Sequence, residues 1–345
     1  MFRSRHALRH VLKNLIANWY TSITPPAWSR VLASVFGAVT AMRRALYHRG
    51  WLSRYRAPVP VIVVGNITVG GTGKTPLVVW LVKFLQTRGF RPGIVSRGFG
   101  GSATQWPQTV TVNSDPALVG DEAVVMAQAT GVPVVAAPKR AQAVQCLLRD
   151  AGCDIIVCDD GLQHYALARD IEIVVVDGAR RWGNGYLLPA GPLREPVTRV
   201  QRADFVLVYG EARAGEFAVT KRITELRHIG GAQETAPLAS WRGRRVHAVA
   251  GIGHPQQFFD QLTHAGLDII PHTFGDHWSY RAEDVAFGDG LPVVMTEKDA
   301  VKCRALNVPD AWSAILEIEP DARWLPLLEQ RVTALQEHYA IKKES

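Results

Sequence analysis

Residues 61–75 read Val61-Ile-Val-Val-Gly-Asn-Ile-Thr-Val-Gly-Gly-Thr-Gly-Lys-Thr75. An apolar, β-branched run enters a glycine-rich turn, and the apolar segment 77–82 beyond it is typical of a helix. In this order of strand, loop and helix, glycines let backbone N–H groups face phosphate oxygens, and the helix N-terminus adds its positive dipole. The stretch therefore predicts a phosphate-binding loop (P-loop). The alternative is an ordinary glycine-rich turn.

The loop departs from the strict P-loop motif at one position. That motif has a glycine five residues before Gly73, where this chain has Thr68, and Gly70 and Gly71 supply the flexibility instead. Lys74 is expected to reach the β- and γ-phosphates of a nucleotide, and Thr75 to ligate Mg²⁺. The predicted nucleotide-binding residues are Thr68, Val69, Gly70, Gly71, Thr72, Gly73, Lys74 and Thr75.

Beyond the loop, apolar β-branched runs alternate with helix-like stretches. Strands are expected at 93–96, 133–136, 153–158, 171–176 and 203–209, with helices near 75–88, 120–130 and 139–151. This alternation predicts an α/β fold of the P-loop NTPase type, with a parallel sheet flanked by helices on both faces. We predict four segments: a basic, amphipathic N-terminal helix region (1–58), the P-loop core (59–212), a two-stranded ribbon (213–242) and a second, smaller α/β domain (243–345).

The basic residues are distributed unevenly. The first 114 residues contain fifteen Lys and Arg and no Asp or Glu, so the total of +8 leaves −7 on the remaining 231. Apolar residues between Trp28 and Leu46 recur at three- and four-residue steps, as on one helix face. Ten basic residues accompany them: Arg3, Arg5, Arg9, Lys13, Arg30, Arg43, Arg44, Arg49, Arg54 and Arg56.

This pattern favours an amphipathic helix on an anionic membrane surface, where each basic residue contributes about 1 kcal/mol. A core helix, a nucleic-acid-binding arm and an organelle transit peptide are the alternatives. No apolar run reaches the roughly eighteen residues that a membrane span needs, and the start lacks a signal-peptide core. The four cysteines form no C-x-x-C pair, which favours structural thiols in a reducing compartment.

Acidic residues follow the predicted strand at 153–158. Asp159 and Asp160 are the expected partners of a P-loop, because Mg²⁺ needs carboxylate ligands opposite Thr75. Gln163 and His164 come next and are expected beside the metal, although His164 also fits a turn.

Three further groups each have two interpretations. Asp121 and Glu122 stand at a predicted helix start, where Asp121 fits either an N-cap or the base that accepts a hydroxyl proton. His277 fits a structural role or the orientation of a base. Arg194 and Glu195, in a proline-bounded loop, suit an anionic sugar substrate or a surface ion pair.

These residues together resemble the tetraacyldisaccharide 4′-kinase (lipid A 4′-kinase) family. The matching motifs run in family order through most of the chain, leaving the first twenty or so residues uncovered. They are Gly65-Asn-Ile-Thr-Val-Gly-Gly-Thr-Gly-Lys-Thr-Pro76, Ser96-Arg-Gly-Phe-Gly100, Val119-Gly-Asp-Glu122, Asp159-Asp-Gly-Leu-Gln-His164, Leu188-Pro-Ala-Gly-Pro-Leu-Arg-Glu195, Ala250-Gly-Ile-Gly-His-Pro255, Phe274-Gly-Asp-His277 and Met295-Thr-Glu-Lys-Asp-Ala-Val-Lys-Cys303.

The resemblance implies transfer of the γ-phosphoryl group of ATP to the 4′-hydroxyl of a tetraacyldisaccharide 1-phosphate, at the cytoplasmic face of the bacterial inner membrane. It implies no nucleic acid and no obligate protein partner.

The resemblance also assigns roles to matching positions. Asp121 resembles the catalytic base and His277 its partner, while Lys74 and Thr75 bind the triphosphate and Mg²⁺. Further residues resemble metal ligands or supporting groups near the donor and sugar: Asp159, Asp160, Glu122, Gln163, His164, Arg140, Arg194 and Glu195. Gly275 replaces the proline that the family usually has before the Asp-His pair, which leaves a looser turn there.

Two rival functions remain open. A membrane-associated P-loop switch would use ATP or GTP hydrolysis to control a protein partner. Residues Thr296-Glu-Lys-Asp299 resemble a guanine-reading pattern, but their lysine stands one place late. A nucleic-acid-binding NTPase is the weaker rival, because the basic segment matches no known binding module.

Overall fold

The computed structural model describes residues 16–230 and 234–344. Arg3, Arg5, Arg9 and Lys13 of the basic N-terminal segment lie outside these residues. The strands are β1 (Val61–Gly65), β2 (Pro92–Ser96), β3 (Gln108–Val110), β4 (Val134–Ala136), β5 (Ile155–Asp159), β6 (Ile171–Asp177), β7 (Phe205–Tyr209), β8 (Phe217–His228), β9 (Thr235–Pro237), β10 (Arg245–Ala250), β11 (Asp268–Thr273), β12 (Val293–Thr296) and β13 (Ala311–Pro320).

The α-helices of the described residues are α1 (Ala27–His48), α2 (Lys74–Thr87), α3 (Pro116–Val119), α4 (Asp121–Thr130), α5 (Arg140–Asp150), α6 (Pro255–His264), α7 (Ala282–Val285), α8 (Glu297–Cys303) and α9 (Trp324–Glu344). Short 3₁₀ turns lie at Asn18–Tyr20, Val197–Arg202, Leu238–Trp241 and Arg304–Leu306.

All thirteen strands belong to one sheet, whose order is β11-β10-β12-β13-β8-β7-β6-β1-β5-β2-β4-β3, with β9 attached to β8. Most neighbours are parallel, and the antiparallel pairs are β13 with β8, β3 with β4, and β8 with β9. The prediction of an α/β fold with a large, mainly parallel sheet is therefore confirmed. The sheet continues through the predicted ribbon, because β8 pairs with both β7 and β13. The four-segment division stays a prediction.

The centre of the sheet is buried on both faces, which explains its apolar strands. Ile62 and Val64 of β1 pack in the cluster that contains Leu77 and Leu81 of α2. Val61 and Val63, which point the opposite way, pack in another cluster with side chains of α5. Each fully buried aliphatic side chain contributes about 1.5–3 kcal/mol to folding. This packing holds β1 and its following loop in a fixed position.

The register of β1 and β5 brings two sequence motifs together. Val64 of β1 pairs with Asp159 at the end of β5, so both strands end at the same edge of the sheet. The glycine-rich loop (residues 66–73) leaves β1 at this edge, which we call the carboxyl edge. Ligand sites in parallel sheets gather there.

Helix α1 carries a row of large apolar side chains that stay exposed. Trp28, Val31, Leu32, Val35, Val39 and Met42 are each between 47% and 64% exposed. On another side of the helix, Ser29 and Ala33 are buried, and Arg44 lies 3.6 Å from Glu195. No helix in the described part of the chain is long and apolar enough to cross a membrane. All four cysteines are buried and unpaired, as expected for structural thiols.

Candidate functional site

The glycine-rich loop contains a glycine, Gly73, at which any side chain would be strained. Gly73 has φ +80°, and an added Cβ atom would lie 2.4 Å from the ring of Tyr209. The Tyr209 hydroxyl donates a hydrogen bond of 2.8 Å to the Gly73 carbonyl. Gly70 also has a left-handed backbone, with φ +106°. The loop conformation thus depends on the glycines that the sequence singled out.

Lys74 begins α2 and its ammonium group is held at the carboxyl edge. Its Nζ lies 3.4 Å from Asn66 Oδ1 and 3.5 Å from Asp160 Oδ1. The Asn66 amide in turn donates to Thr68 Oγ1 at 3.3 Å. Asn66 therefore fixes both the loop and the lysine, a role that the sequence analysis did not assign to it.

Asp159 and Asp160 have opposite electrostatic environments. Asp159 is 1% exposed, and its Oδ1 atom has no hydrogen-bond partner among the described residues. Burial and the nearby charges of Glu122 and Asp160 raise the pKa of Asp159 to about 7, against the opposing effect of Lys74. The pKa of Asp160 is lowered, because Lys74 and Arg194 outweigh the effect of burial. Asp160 also adopts φ +45°, an uncommon backbone for a non-glycine residue.

The two carboxylates fit a cation whose coordination shell is completed by a bound ligand. Among residues 16–230 and 234–344, no three His, Cys, Asp or Glu side chains form a ready metal cage. Mg²⁺ in nucleotide sites is commonly held by one or two carboxylates plus phosphates and waters. The unpaired Asp159 oxygen and the unpaired, buried Thr72 hydroxyl are the kind of groups that such an assembly satisfies.

Asp121 and His277 meet, although 156 residues separate them in the chain. His277 Nδ1 lies 3.0 Å from Asp121 Oδ2, and the Asp121 side chain is only 5% exposed. Burial alone would raise the pKa of Asp121, but the His277 hydrogen bond and the charges of Lys298 and Lys302 lower it below the usual value. The same hydrogen bond raises the pKa of His277 against the effect of burial. Asp121 is therefore an ionised carboxylate at neutral pH.

Two lysines of α8 complete this contact. Lys298 forms an ion pair with Glu122. This pair compensates the Glu122 carboxylate, whose negative charge acts on Asp159. Lys302 Nζ lies 3.9 Å from Asp121 Oδ2 and 3.0 Å from Asp299 Oδ1. Neither lysine was predicted as a site residue. Their sequence signal was a position within the family motif at 295–303.

The remaining predicted residues lie on the other side of Asp160. Arg194 Nη1 is 3.2 Å from both Asp160 oxygens and 3.4 Å from Gln163 Oε1. Gln163 donates to the Asn66 carbonyl at 2.9 Å and to Glu195 at 3.1 Å. Glu195 is buried and also accepts a hydrogen bond from Tyr165. The motif thus forms a connected polar network beside Lys74.

Arg140 and His164 lie behind the residues that line the site. Arg140 is buried and donates to the backbone carbonyls of Ala137, Pro138 and Asp160, so it supports the loop after β5. Burial, with the charges of Arg140, Arg169, Arg43 and Arg97, lowers the pKa of His164 to about 4. His164 is therefore neutral at physiological pH. Neither side chain lines the cavity that the glycine-rich loop lines.

A cavity of about 720 Å³ connects the two halves of the site. Its wall includes the loop residues from Val69 to Thr75, then Glu122, Asp159, Asp160, Arg194, His277 and Lys298. The far wall comes from β8, α6 and β13, which the sequence analysis did not connect to the site. The volume suits a nucleotide-sized ligand.

Comparisons with known proteins agree on one family. A family model described as tetraacyldisaccharide-1-P 4′-kinase matches residues 27–335. The tetraacyldisaccharide 4′-kinase of Nitrosococcus oceani is 46% identical over 92% of this chain and 95% of its own length. The protein of that name from Xanthomonas campestris pv. campestris is 49% identical over 90% of this chain and 94% of its own length.

A solved structure also resembles this fold. The crystal structure of LpxK from Aquifex aeolicus in complex with ATP superposes with a TM-score of 0.76. The two sequences are 26% identical, and the match covers 88% of this chain and 97% of that one.

Proposed function

This chain belongs to the tetraacyldisaccharide-1-P 4′-kinase family of lipid kinases, and we propose that its cavity is where the γ-phosphoryl group of ATP passes to the 4′-hydroxyl of a tetraacyldisaccharide 1-phosphate. One observation carries the proposal. His277 and Glu122 line the same cavity as the glycine-rich loop and Lys74, and Asp121 lies 3.0 Å from His277 Nδ1. A base held by a residue of the cavity wall, together with a phosphate-binding loop on that wall, supplies the parts that phosphoryl transfer to an alcohol requires.

In this proposal the glycine-rich loop acts as a P-loop for ATP. The backbone amides from Thr68 to Gly73 and the amino end of α2 face the triphosphate, and Lys74 neutralises the β- and γ-phosphate oxygens. The left-handed backbones of Gly70 and Gly73 support this role, because they turn amides inward at no steric cost. Lys74 would exchange its present contact with Asp160 for contacts with phosphate.

Magnesium would be held by Thr75, Asp159 and Asp160, with Glu122 nearby. When bound, the magnesium ion would supply positive charge that stabilises the transferring phosphoryl group. The raised pKa of Asp159 supports a cation here, because a nearby cation would relieve the cost of its buried charge.

Asp121 would act as the base. Its carboxylate aligns the 4′-hydroxyl and accepts its proton as the oxygen bonds to the γ-phosphorus, while the bond from that phosphorus to the β,γ-bridging oxygen breaks and ADP leaves. His277 holds the carboxylate through the Nδ1 contact and, with Lys298 and Lys302, lowers the pKa of Asp121 so that it stays ionised. Arg194, Gln163 and Glu195 would orient the sugar, with Arg140 and His164 as supporting residues. The segment 243–345, which brings His277 and Lys298, would exclude water from the transfer.

We further infer that α1 lies on the cytoplasmic leaflet of the inner membrane. Its support is the exposed apolar row from Trp28 to Met42 on a segment without acidic residues. A lipid substrate could then reach the cavity without leaving the membrane surface. No nucleic acid and no obligate protein partner is part of this proposal.

The test is to incubate the purified protein with γ-labelled Mg-ATP and tetraacyldisaccharide 1-phosphate in detergent micelles. The proposal expects lipid-dependent ADP release and one label per lipid, with ATP preferred to GTP. Hydrolysis of ATP or GTP without any label on lipid would instead favour the nucleotide switch.

A further inference from the structure

A second cavity, of about 220 Å³, lies at the amino-terminal edge of the sheet. Arg54 precedes β1, Glu172 belongs to the start of β6, and Arg199 and Arg202 precede β7. Because β1, β6 and β7 are parallel neighbours, these residues gather at the edge opposite the glycine-rich loop. The seven residues of β6 span roughly 20 Å. The cavity thus lies at the edge opposite the glycine-rich loop, while Arg199 on its floor also lies 3.7 Å from Glu195.

Positive charge dominates the lining of this cavity. Five arginines and His48 line it, and Glu172 is the one acidic residue among the lining residues. Arg169 pairs with Glu172, Arg199 pairs with both Glu172 and Glu195, and Arg56 pairs with Asp170 just outside. Arg54 and Arg202 have no acidic partner in the described residues. Two cationic groups therefore remain uncompensated at the mouth of the cavity.

The floor contains an unsatisfied donor. Arg199 is 4% exposed, and its Nη2 binds Glu172 at 2.6 Å while its Nε lies 3.3 Å from the Tyr165 hydroxyl. Its Nη1 is buried without a partner among the described residues. A buried donor of this kind is costly unless a ligand accepts from it. The low pKa of His48, caused by burial and by Arg54, Arg202, Arg44 and Arg199, is consistent with a positive local field.

The neighbouring surface indicates where the ligand comes from. Trp51, which is 73% exposed, and Leu52, which is 37% exposed, lie between α1 and Arg54, so exposed apolar side chains stand close in the chain to the cavity mouth. A helix in the membrane interface places such apolar side chains at the boundary of acyl chains and headgroups. The arginines would then lie at headgroup level, where guanidinium groups bind phosphate oxygens well.

We propose that the cavity formed by Arg54, Arg199 and Arg202 binds the phosphate of an anionic phospholipid headgroup, at a site distinct from that of the lipid substrate. The proposal rests on the membrane location of α1 given under the proposed function. The cavity volume of about 220 Å³ admits a phosphate with part of a headgroup but not an acylated disaccharide. Occupation of this site would fix the carboxyl end of α1 against the bilayer.

The first test measures how full-length protein partitions onto phosphatidylcholine vesicles with and without phosphatidylglycerol. The test variant is Arg54→Gln/Arg202→Gln. The control is Arg30→Gln/Arg49→Gln, which removes two exposed arginines, one in the first turns of α1 and one immediately after its last residue. General attraction to an anionic surface weakens equally in both variants. A specific site predicts a loss for the test variant roughly tenfold greater than for the control. Equal losses would overturn the proposal.

The second test distinguishes a headgroup from free phosphate. Soluble dihexanoylphosphatidylglycerol and inorganic phosphate are titrated calorimetrically into the Lys74→Ala protein, which weakens competing binding at the glycine-rich loop. The proposal expects the lipid to bind more tightly and Arg54→Gln/Arg202→Gln to abolish this binding. Equal affinity for inorganic phosphate, or insensitivity to the variant, would contradict it. Kinase activity in micelles is measured separately, so a failure of the headgroup site leaves the proposed reaction standing.

Discussion

Replacing Asp121 by Asn tests the proposed base with little change in shape. The asparagine oxygen can still accept from the Glu122 amide, which now donates to Asp121 Oδ1 at 2.8 Å. What is lost is the negative charge and the capacity to take a proton. General-base catalysis typically contributes about 10²- to 10⁴-fold. We therefore expect turnover to fall by about that factor while ATP affinity changes little, because in this proposal the loop amides and Lys74, and not Asp121, hold the triphosphate.

The structure also limits the stability cost of this change. Lys302 keeps Asp299 at 3.0 Å and Lys298 keeps its ion pair with Glu122, so no lysine is left unpaired. The cost should be about 1–3 kcal/mol, the usual loss for one buried polar interaction. A variant that unfolds at the assay temperature would contradict this estimate.

The assay is single-turnover transfer of labelled phosphate to lipid at saturating ATP. Asp276→Asn is the matched control: its carboxylate lies 3.9 Å from the other nitrogen of His277, but its side chain is 47% exposed. Exposed charge pairs contribute about 1 kcal/mol or less, so the control should stay within about fivefold of wild type. If Asp121→Asn also stays within that range, Asp121 is not the base.

Three further outcomes follow from the structure. Gly73→Ala should destabilise the fold by about 2–4 kcal/mol, because alanine disfavours φ +80° and its Cβ would meet the Tyr209 ring; Gly71→Ala, with nothing within 4 Å, should leave Tm nearly unchanged. Burial raises the pKa of Glu297 to about 7, so the stability tied to its neutral form is complete below its usual pKa and is lost as pH rises through about 7. Glu297→Gln should therefore raise the free energy of unfolding by about 1–3 kcal/mol at pH 8 and by little at pH 5. Val35→Glu/Met42→Glu should weaken binding to anionic vesicles while leaving Tm unchanged, because both side chains are more than half exposed.

Each of these outcomes has a control or a contradicting result. Equal Tm values for the two glycine variants would show that the Tyr209 ring does not constrain the loop. A gain for Glu297→Gln that is the same at both pH values would exclude titration of Glu297 as its cause. Ser34→Glu/Ala41→Glu has the same spacing on an exposed side of α1 without large apolar residues. Equal loss of vesicle binding in this control would contradict the assigned membrane face.

The sequence was sufficient to predict local features. The β1 to α2 stretch and the acids after β5 are short-range patterns, because a strand, a glycine turn and a helix each depend on residues close in the chain. The alternation of elements also predicted the parallel sheet. The two acids were expected near the loop because adjacent parallel strands end at one edge, but the contact of Lys74 with Asp160 was not predicted.

Contacts between residues far apart in the chain could not be predicted from these local patterns. The sequence left His277 between two roles, and only the fold brings it to Asp121. The ion pair of Lys298 with Glu122 and the antiparallel addition of β13 to β8 are likewise set by packing between distant segments. The sequence does not reveal that Arg199 Nη1 lacks a hydrogen-bond partner among the described residues. This depends on which atoms surround the guanidinium group in the folded protein.

The central claim is that this cavity phosphorylates the 4′-hydroxyl of a tetraacyldisaccharide 1-phosphate. The most direct measurement is ³¹P NMR of the lipid product formed by wild-type protein and Mg-ATP, with Lys74→Ala as the inactive comparison. The account predicts one new phosphate monoester, located on the 4′ oxygen and absent with Lys74→Ala. Phosphate at another position, or ATP consumption with unchanged lipid, would contradict it.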